Sequence, residues 1–200
     1  PILQHALMRT YDYWSEHTNG EAPITIEHYQ SIGKMKLALS YHADEAYYEL
    51  TEEQKIICAA LFRSLTETGT VVGGVRRPTK LLELCELLAV GKDTLIPIIN
   101  VFRQHGRSFL MPSLEIELYD ESVIDISHES LMRVWIRLID WFKEEMNSAE
   151  IYLKLCKDAA SYQDGKGSLL VNPELAITLK WRDKQRPTEG WGARYNISYI

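Results

Sequence analysis

One stretch of this 200-residue chain concentrates residues that could do chemistry: DISHESLMRVWIRLIDW, from Asp125 to Trp141. His128-Glu129 opens like a zinc-peptidase helix, which needs a second His four residues later on the same helix face. That position is Met132, so the pattern fails. His5, His17, His28, His42 and His105 are dispersed and show no ligand spacing. A phosphate loop is also missing. Its nearest approach, Gly165-Lys166-Gly167-Ser168, has Ala160 where the leading Gly belongs and Gly167 where Ser or Thr should follow Lys. Gly69, Gly73 and Gly74 lack dinucleotide spacing, and no Ser sits in a GxSxG turn. What survives is His128. It stands where a strand ends and a helix begins, and free N–H groups at a helix start favour anions. An imidazole there can donate one hydrogen bond to a phosphate oxygen; Asp125 and Glu129 suit the same dipole. Spacing alone equally allows ordinary first-turn residues, with Trp135 and Trp141 as core.

The elements that must position His128 read as mostly helical. Residues 2–14 form a helix with Leu3, Leu7 and Tyr11 on one face. Asn19, Gly20 and Pro23 break it. A short helix over 25–32 turns Ile26 and Tyr29 inward, and Gly33 punctuates. Residues 37–50 carry Tyr41, Tyr47 and Tyr48. Thr51-Glu52-Glu53-Gln54 fits a capping box, followed by an inward stripe of Ile57, Leu61 and Leu65. Residues 69–74 read as a turn with a short strand. Pro78 suits a helix start, the stripe Leu81, Leu84, Cys85 and Leu88 follows, and Gly91 ends it. Asp93 caps a helix to 104 that tolerates Pro97 near its start. Runs 108–111 and 123–126 are strand-like, with the alternating 114–121 as the hairpin between them. Three helices and a hairpin make a winged helix, a variant of the helix-turn-helix, over about 50–126. From Glu129 the chain is helical again, with Leu131, Val134, Trp135, Leu138 and Phe142 at helical intervals. A further helix covers 149–162. After the Gly165–Gly167 turn, Pro173 and Pro187 start the last two.

The expected fold class is therefore mainly α: a helical domain at 1–50, a winged-helix domain with a small β-hairpin wing at 51–146, and C-terminal helices at 147–200. An apolar fraction of 46% suits a folded core. No run of 18 apolar residues suggests a membrane span, and no signal segment opens the chain. Cys58, Cys85 and Cys156 are an odd, unpaired set, which points to buried thiols in a reducing, cytoplasmic setting. Asn196-Ile197-Ser198 has the form of a glycosylation sequon but is expected to be chance without a secretory route. A net charge of −6 argues against a nucleic-acid surface. The chain opens on Pro1, and it reads as a piece of a longer polypeptide.

The Asp125–Leu138 stretch resembles the winged-helix segment of STAND-type signalling NTPases, whose bacterial members carry a strand and then His-Glu-small-Leu-x-Arg-x-Trp-x-Arg-Leu. It is also similar to the Met-His-Asp motif of NOD-like immune receptors, with His128 on the His, Glu129 on the Asp and Ser127 in place of the Met. Pro1-Ile2-Leu3-Gln4-His5-Ala6-Leu7 resembles the tail of the family's Gly-Leu-Pro-Leu motif. Asn172-Pro173-Glu174-Leu175 through Trp181-Arg182, then Pro187 and Trp191, resembles the helical segment after the winged helix. Arg76-Arg77 matches a basic pair common in bacterial members, with no role attached, and surface charges would read the same way.

The resemblance implies a regulatory module without catalysis of its own. Its parent would be an NTPase that binds ADP or ATP with Mg²⁺ through an upstream core, where the phosphate loop and the Mg²⁺-binding acid lie. His128 would contact the ADP β-phosphate and hold the resting state, and Pro1 would pack near the adenine. No cofactor is expected in the chain alone. Its partners would be the upstream core and a downstream sensor of the same polypeptide, with self-oligomerisation on activation. Two other functions compete. One is a winged-helix DNA-binding regulator, disfavoured because the candidate recognition helix over 93–104 offers only Arg103 and the wing is acidic. The other is a helical protein–protein scaffold, for which the five Trp and eleven Tyr would serve equally well.

Overall fold

A computed structural model describes residues 2–67 and 74–195, in two units, Pro1–Phe142 and Lys143–Ile200. The first unit begins with α1 (Ile2–Thr18), α2 (Ile26–Ser31) and α3 (Lys34–Tyr48). α1 outlasts the expected helix and stops where Asn19 and Gly20 both take positive φ. Gly33 is obligatory: φ is +83°, and a Cβ there would lie 2.7 Å from the Tyr41 ring. α1 meets α3 through small side chains. Ala6, Ala38 and Ile32 form a buried cluster flanked by Tyr13 and Tyr29, and the Thr10 hydroxyl donates back to the Ala6 carbonyl at 2.7 Å. Close approach through small residues leaves the bulky stripe outside, so Leu3, Leu7 and Tyr11 are 58, 58 and 56% exposed. Ile26, expected inward, is 65% exposed, whereas Tyr29 packs as expected.

α4 (Glu52–Ser64) starts at the expected capping box: Gln54 N–H donates to Thr51 Oγ1 at 3.3 Å and Thr51 N–H to Gln54 Oε1 at 3.0 Å. Three two-residue strands come next: β1 (Thr66–Glu67), β2 (Val75–Arg76) and β3 (Thr79–Lys80). β1 and β2 pair antiparallel, Thr66 opposite Arg76; the remainder of the expected Gly/Val strand, 69–73, lies outside the described residues. Pro78 does not start a helix. Thr79 and Lys80 pair in a sheet first, and α5 (Leu81–Leu88) follows. Ala89 ends α5 in the left-handed region (φ 52°), so Gly91 instead caps α6 (Lys92–Arg103), and Asp93 sits in its first turn.

β4 (Leu110–Met111) and β5 (Val123–Ile126) pair antiparallel. β5 also pairs with β3, which gives the sheet order β3-β5-β4. Residues 114–121, expected as the hairpin, form the loop between β4 and β5 instead. Buried Arg103 holds that loop, donating to the carbonyls of Pro112 (2.6 Å), Ser113 and Ile116 (2.6 Å). α7 (Glu129–Val134) breaks at Trp135, whose ψ of 104° is not helical. α8 (Ile136–Gln163) then runs through the separately expected 149–162 helix. Helices α4, α5 and α6 with the three-stranded sheet enclose one core. Its centre is aromatic: Trp135 packs edge-on to Phe62 at 4.9 Å and to Trp141 at 5.4 Å.

The second unit contains the later part of α8, then α9 (Glu174–Gln185) and α10 (Glu189–Ala193). Its organising group is buried Glu145. This carboxylate accepts from Trp191 Nε1 at 2.8 Å and Tyr195 OH at 2.6 Å, and it pairs with Arg194 at 3.4 Å. All three meet the same oxygen, Oε1, and a buried carboxylate is tolerable when donors and a cation converge on it in this way. The architecture is thus mainly α: a helical part, a winged-helix-like part with small antiparallel sheets, and C-terminal helices.

Candidate functional site

A cleft of about 490 Å³ opens between the start of α1, residues 106–109 and the turn from β5 into α7. That volume is within the usual range for a small-molecule site. His128 lies on its wall, at the strand-to-helix turn where the sequence places it. Its backbone is extended (φ −137°, ψ 129°), and its exposed side chain forms no capping hydrogen bond. Ser127 and Ser130 flank it on the same wall. The turn is held by two features. Ser127 N–H donates to the Phe109 carbonyl at 3.0 Å, which carries the β4–β5 ladder one step further. Arg76 donates to Asp125 Oδ2 at 2.8 Å and to the Ile126 carbonyl at 2.9 Å, which pins β5 directly ahead of His128.

This gives one member of the basic pair a structural task, while Arg77 pairs with Glu83 at 2.9 Å. Asp125 therefore serves Arg76, and its Oδ1 is buried without a partner among the described residues. Glu129 pairs with Arg133 one turn along α7 at 2.7 Å.

The Trp and Arg that follow His128 tie the α7–α8 junction to α3. Trp135 Nε1 and Arg137 Nε donate to the same Asp44 oxygen, at 2.9 and 2.8 Å. The Arg137 guanidinium lies 4.0 Å from the Tyr47 ring centre, and Ile136 N–H donates to Ser40 Oγ at 3.3 Å.

Across the cleft, α1 contributes Ile2 and His5. His5 Nε2 lies 3.2 Å from His42 Nδ1 on α3. Phe109 sets its edge against His42 at 5.2 Å and lies 6.1 Å from His5. Burial, reinforced by the nearby Arg9 charge, lowers His5 to about 4 and His42 to about 3, so both imidazoles are neutral. The adjacent cations are committed. Arg9 pairs with Glu45 at 2.6 Å, and Arg107 with Glu49 in a two-pronged contact. Pro1 lies outside the described residues; its neighbour Ile2 lines the cleft.

The lining offers hydroxyl, imidazole and amide groups over an apolar floor of Met8, Leu39 and Leu131. Among the described lining residues there is no carboxylate to bind Mg²⁺, and the single guanidinium, Arg107, is engaged by Glu49. These residues fit the hydrogen-bonding needs of a nucleotide, but they do not fit its metal or its phosphate charge. No group of three metal-ligating side chains occurs among the described residues. The three cysteines are free thiols, and burial pushes Cys58 upward. No described helix is long and apolar enough to cross a membrane. Sequence spacing could not find the His5–His42 pair, because 36 intervening residues separate its members; Asp44 and Phe109 carry no motif at all.

Fold and cleft together define a mainly helical, winged-helix-like module with a ligand-sized site at its strand-to-helix turn. The model of the family Novel STAND NTPase 1 matches residues 1–168, and the chain belongs to that family. No curated protein and no solved structure gave a match.

Proposed function

We propose that this chain is the regulatory part of a STAND signal-transduction NTPase, in which His128 donates a hydrogen bond to the ADP β-phosphate and holds the resting state. One observation carries the reading: His128 stands on the cleft wall, at a turn pinned by Arg76 and Phe109, with its own side chain uncommitted. A ligand shifts a conformational equilibrium only through differential contact. The closed form brings His128 to the phosphate, and the open form withdraws it. Because the described lining residues include no carboxylate and no cation that is not already paired, the phosphate charge and Mg²⁺ fall to an NTPase core elsewhere in the same polypeptide. On this reading the chain alone performs no catalysis. A downstream sensor would bias the switch, oligomerisation would follow release, and the protein would work in the cytoplasm.

The DNA-binding reading finds little support in α6. Arg103 is buried in the wing, Lys92 pairs with Asp120 and Arg107 with Glu49, so the cations a duplex would need are spent internally. The scaffold reading is compatible with the switch, since a switch module works through domain contacts. The test is His128→Ala in the full-length protein that carries this chain. Faster ADP loss and raised basal signalling are expected; unchanged ADP retention together with unchanged signalling sinks the assignment.

A further inference from the structure

We infer that the acidic wing of one copy of this chain docks on the basic helix α9 of a second copy. The inference does not depend on the role given to His128, and either can fail alone. It rests on two surfaces, one in each unit. Both present apolar side chains to solvent among charges of one sign, and the two signs are opposite.

The first surface is the wing, residues 112–122. It holds Glu115, Glu117, Asp120 and Glu121 and no Lys or Arg. His105, Lys92 and Lys80 meet Glu115, Asp120 and Glu121 from outside the loop. All three are exposed pairs, which contribute little and exchange partners readily. Glu117 has no partner among the described residues. Among these carboxylates Tyr119 is 63% exposed and Ile116 49%. Arg103 fixes the loop from beneath through the carbonyls of Pro112 and Ile116. A loop already held in one shape loses little conformational freedom on docking. Its charge repels nucleic acid and calls for a basic counterpart.

The second surface is α9. The whole chain has a net charge of −6, yet residues 174–186 carry Lys180, Arg182, Lys184 and Arg186 against only Glu174 and Asp183. Glu174 pairs with Lys154 of α8, and Asp183 with Arg182. Lys180, Lys184 and Arg186 have no partner among the described residues. No residue of α9 is buried. Its inner face is marked by half-buried Thr178, Trp181 and Gln185. Ile177, Lys180 and Lys184 stand at i, i+3 and i+7, so they form one exposed stripe, with Ile177 61% exposed. The stripe repeats the wing with the sign reversed: an aliphatic side chain beside two free charges. Apolar contact between Tyr119 and Ile177 would supply affinity, and the ion pairs would set register. Wing and α9 are different surfaces, so the contact is heterologous and assembly runs head to tail.

The test is sedimentation velocity on the full-length protein that carries this chain, with ADP and after nucleotide removal. Wild type should self-associate with rising concentration, form species larger than a dimer, and do so less at high salt. Glu117→Lys with Glu121→Lys should weaken association about tenfold, and so should Lys180→Glu with Lys184→Glu. An equal mixture of these two variants should associate again, because each reversed surface then finds its opposite on the other variant. Tyr119→Ser should weaken association at high salt as well as at low. All of these positions are exposed, so the fold should be kept. Independently, carbodiimide cross-linking of mixed unlabelled and ¹⁵N-labelled wild-type protein should join Glu117 to Lys180 or Lys184 with mixed isotopes. Wild type that stays monomeric to about 100 µM in both nucleotide states overturns the proposal. So do reversals that leave association unchanged, a mixture that fails to recover it, or cross-links that join only like isotopes, which would place the contact within one copy.

Discussion

In α4 the apolar stripe of Cys58, Leu61, Phe62 and Leu65 is sealed beneath α5, α6 and Trp135. In α1 the stripe of Leu3, Leu7 and Tyr11 stays more than half exposed. Both helices carry large side chains at helical spacing. They differ in what faces them. α4 is surrounded by large side chains that interdigitate with its own. α1 instead meets α3 over Ala6 and Ala38, and small-residue contact brings the backbones close while turning the bulk outward. The face that holds a helix in its fold need not be its most apolar face.

The contrast breaks most sharply at the aromatic centre. Trp135→Ala should cost about 3–5 kcal/mol, as expected for a fully buried aromatic ring. It should also release Asp44 from the indole, so denaturant unfolding should show a lower midpoint. Trp135→Phe isolates the polar part: packing is largely kept, and the lost hydrogen bond to Asp44 should cost about 1–3 kcal/mol. If Trp135→Ala costs no more than Trp135→Phe, the centre is not packed as described.

Arg103→Met probes a different kind of burial. Arg103 is a buried guanidinium whose stabilisation comes from the wing carbonyls it satisfies. Removing it leaves those carbonyls without a donor, and about 2–4 kcal/mol should be lost. Hydrogen exchange should speed up across residues 112–122 before it does in α4. Uniform acceleration would mean that Arg103 supports the whole core and not the wing.

The same contrast explains what could be read from residue order. The Thr51 capping box, the α4 and α5 stripes and the strand before His128 rest on local chemistry and were legible. The strands 66–67, 75–76 and 79–80 were not, because two-residue strands have no periodicity and exist only through distant partners such as Val123 and Ile124. The break at Trp135 was hidden for a similar reason: its neighbours read as continuous helix, and the cause of the bend is Asp44 and Ser40 on a different helix. At the site, His128 was visible through its motif. His5 carries no such signal, because nothing in its neighbourhood announces His42.

The imidazole pair gives a contrast in pH. Both folded values lie below the ordinary 6.5, mainly through burial, so the unfolded chain takes up protons first as pH falls. Stability from this pair is full above about pH 6.5 and declines as pH drops toward about 4 and then about 3. His42→Gln should flatten that limb while leaving the stability difference near pH 7 small beside that of Trp135→Ala. The check is unfolding free energy measured between pH 7 and pH 4; an unchanged slope in the variant would mean that other groups govern acid unfolding.

The smallest effect should come from Leu7→Ala, set beside Leu61→Ala in the same chain. Leu61 is fully buried, and its truncation should cost about 2–5 kcal/mol. Leu7 is 58% exposed, so truncation removes little buried area and creates no cavity. Alanine is also the better helix former, which offsets part of what is lost. The change should fall within about 0.5 kcal/mol by denaturant unfolding. A loss at Leu7 comparable to that at Leu61 would place α1 with its bulky face inward, and the distinction between the two helices would collapse. A near-zero value would leave α1 anchored by its small face, with Leu7 contributing little to the stability of this chain.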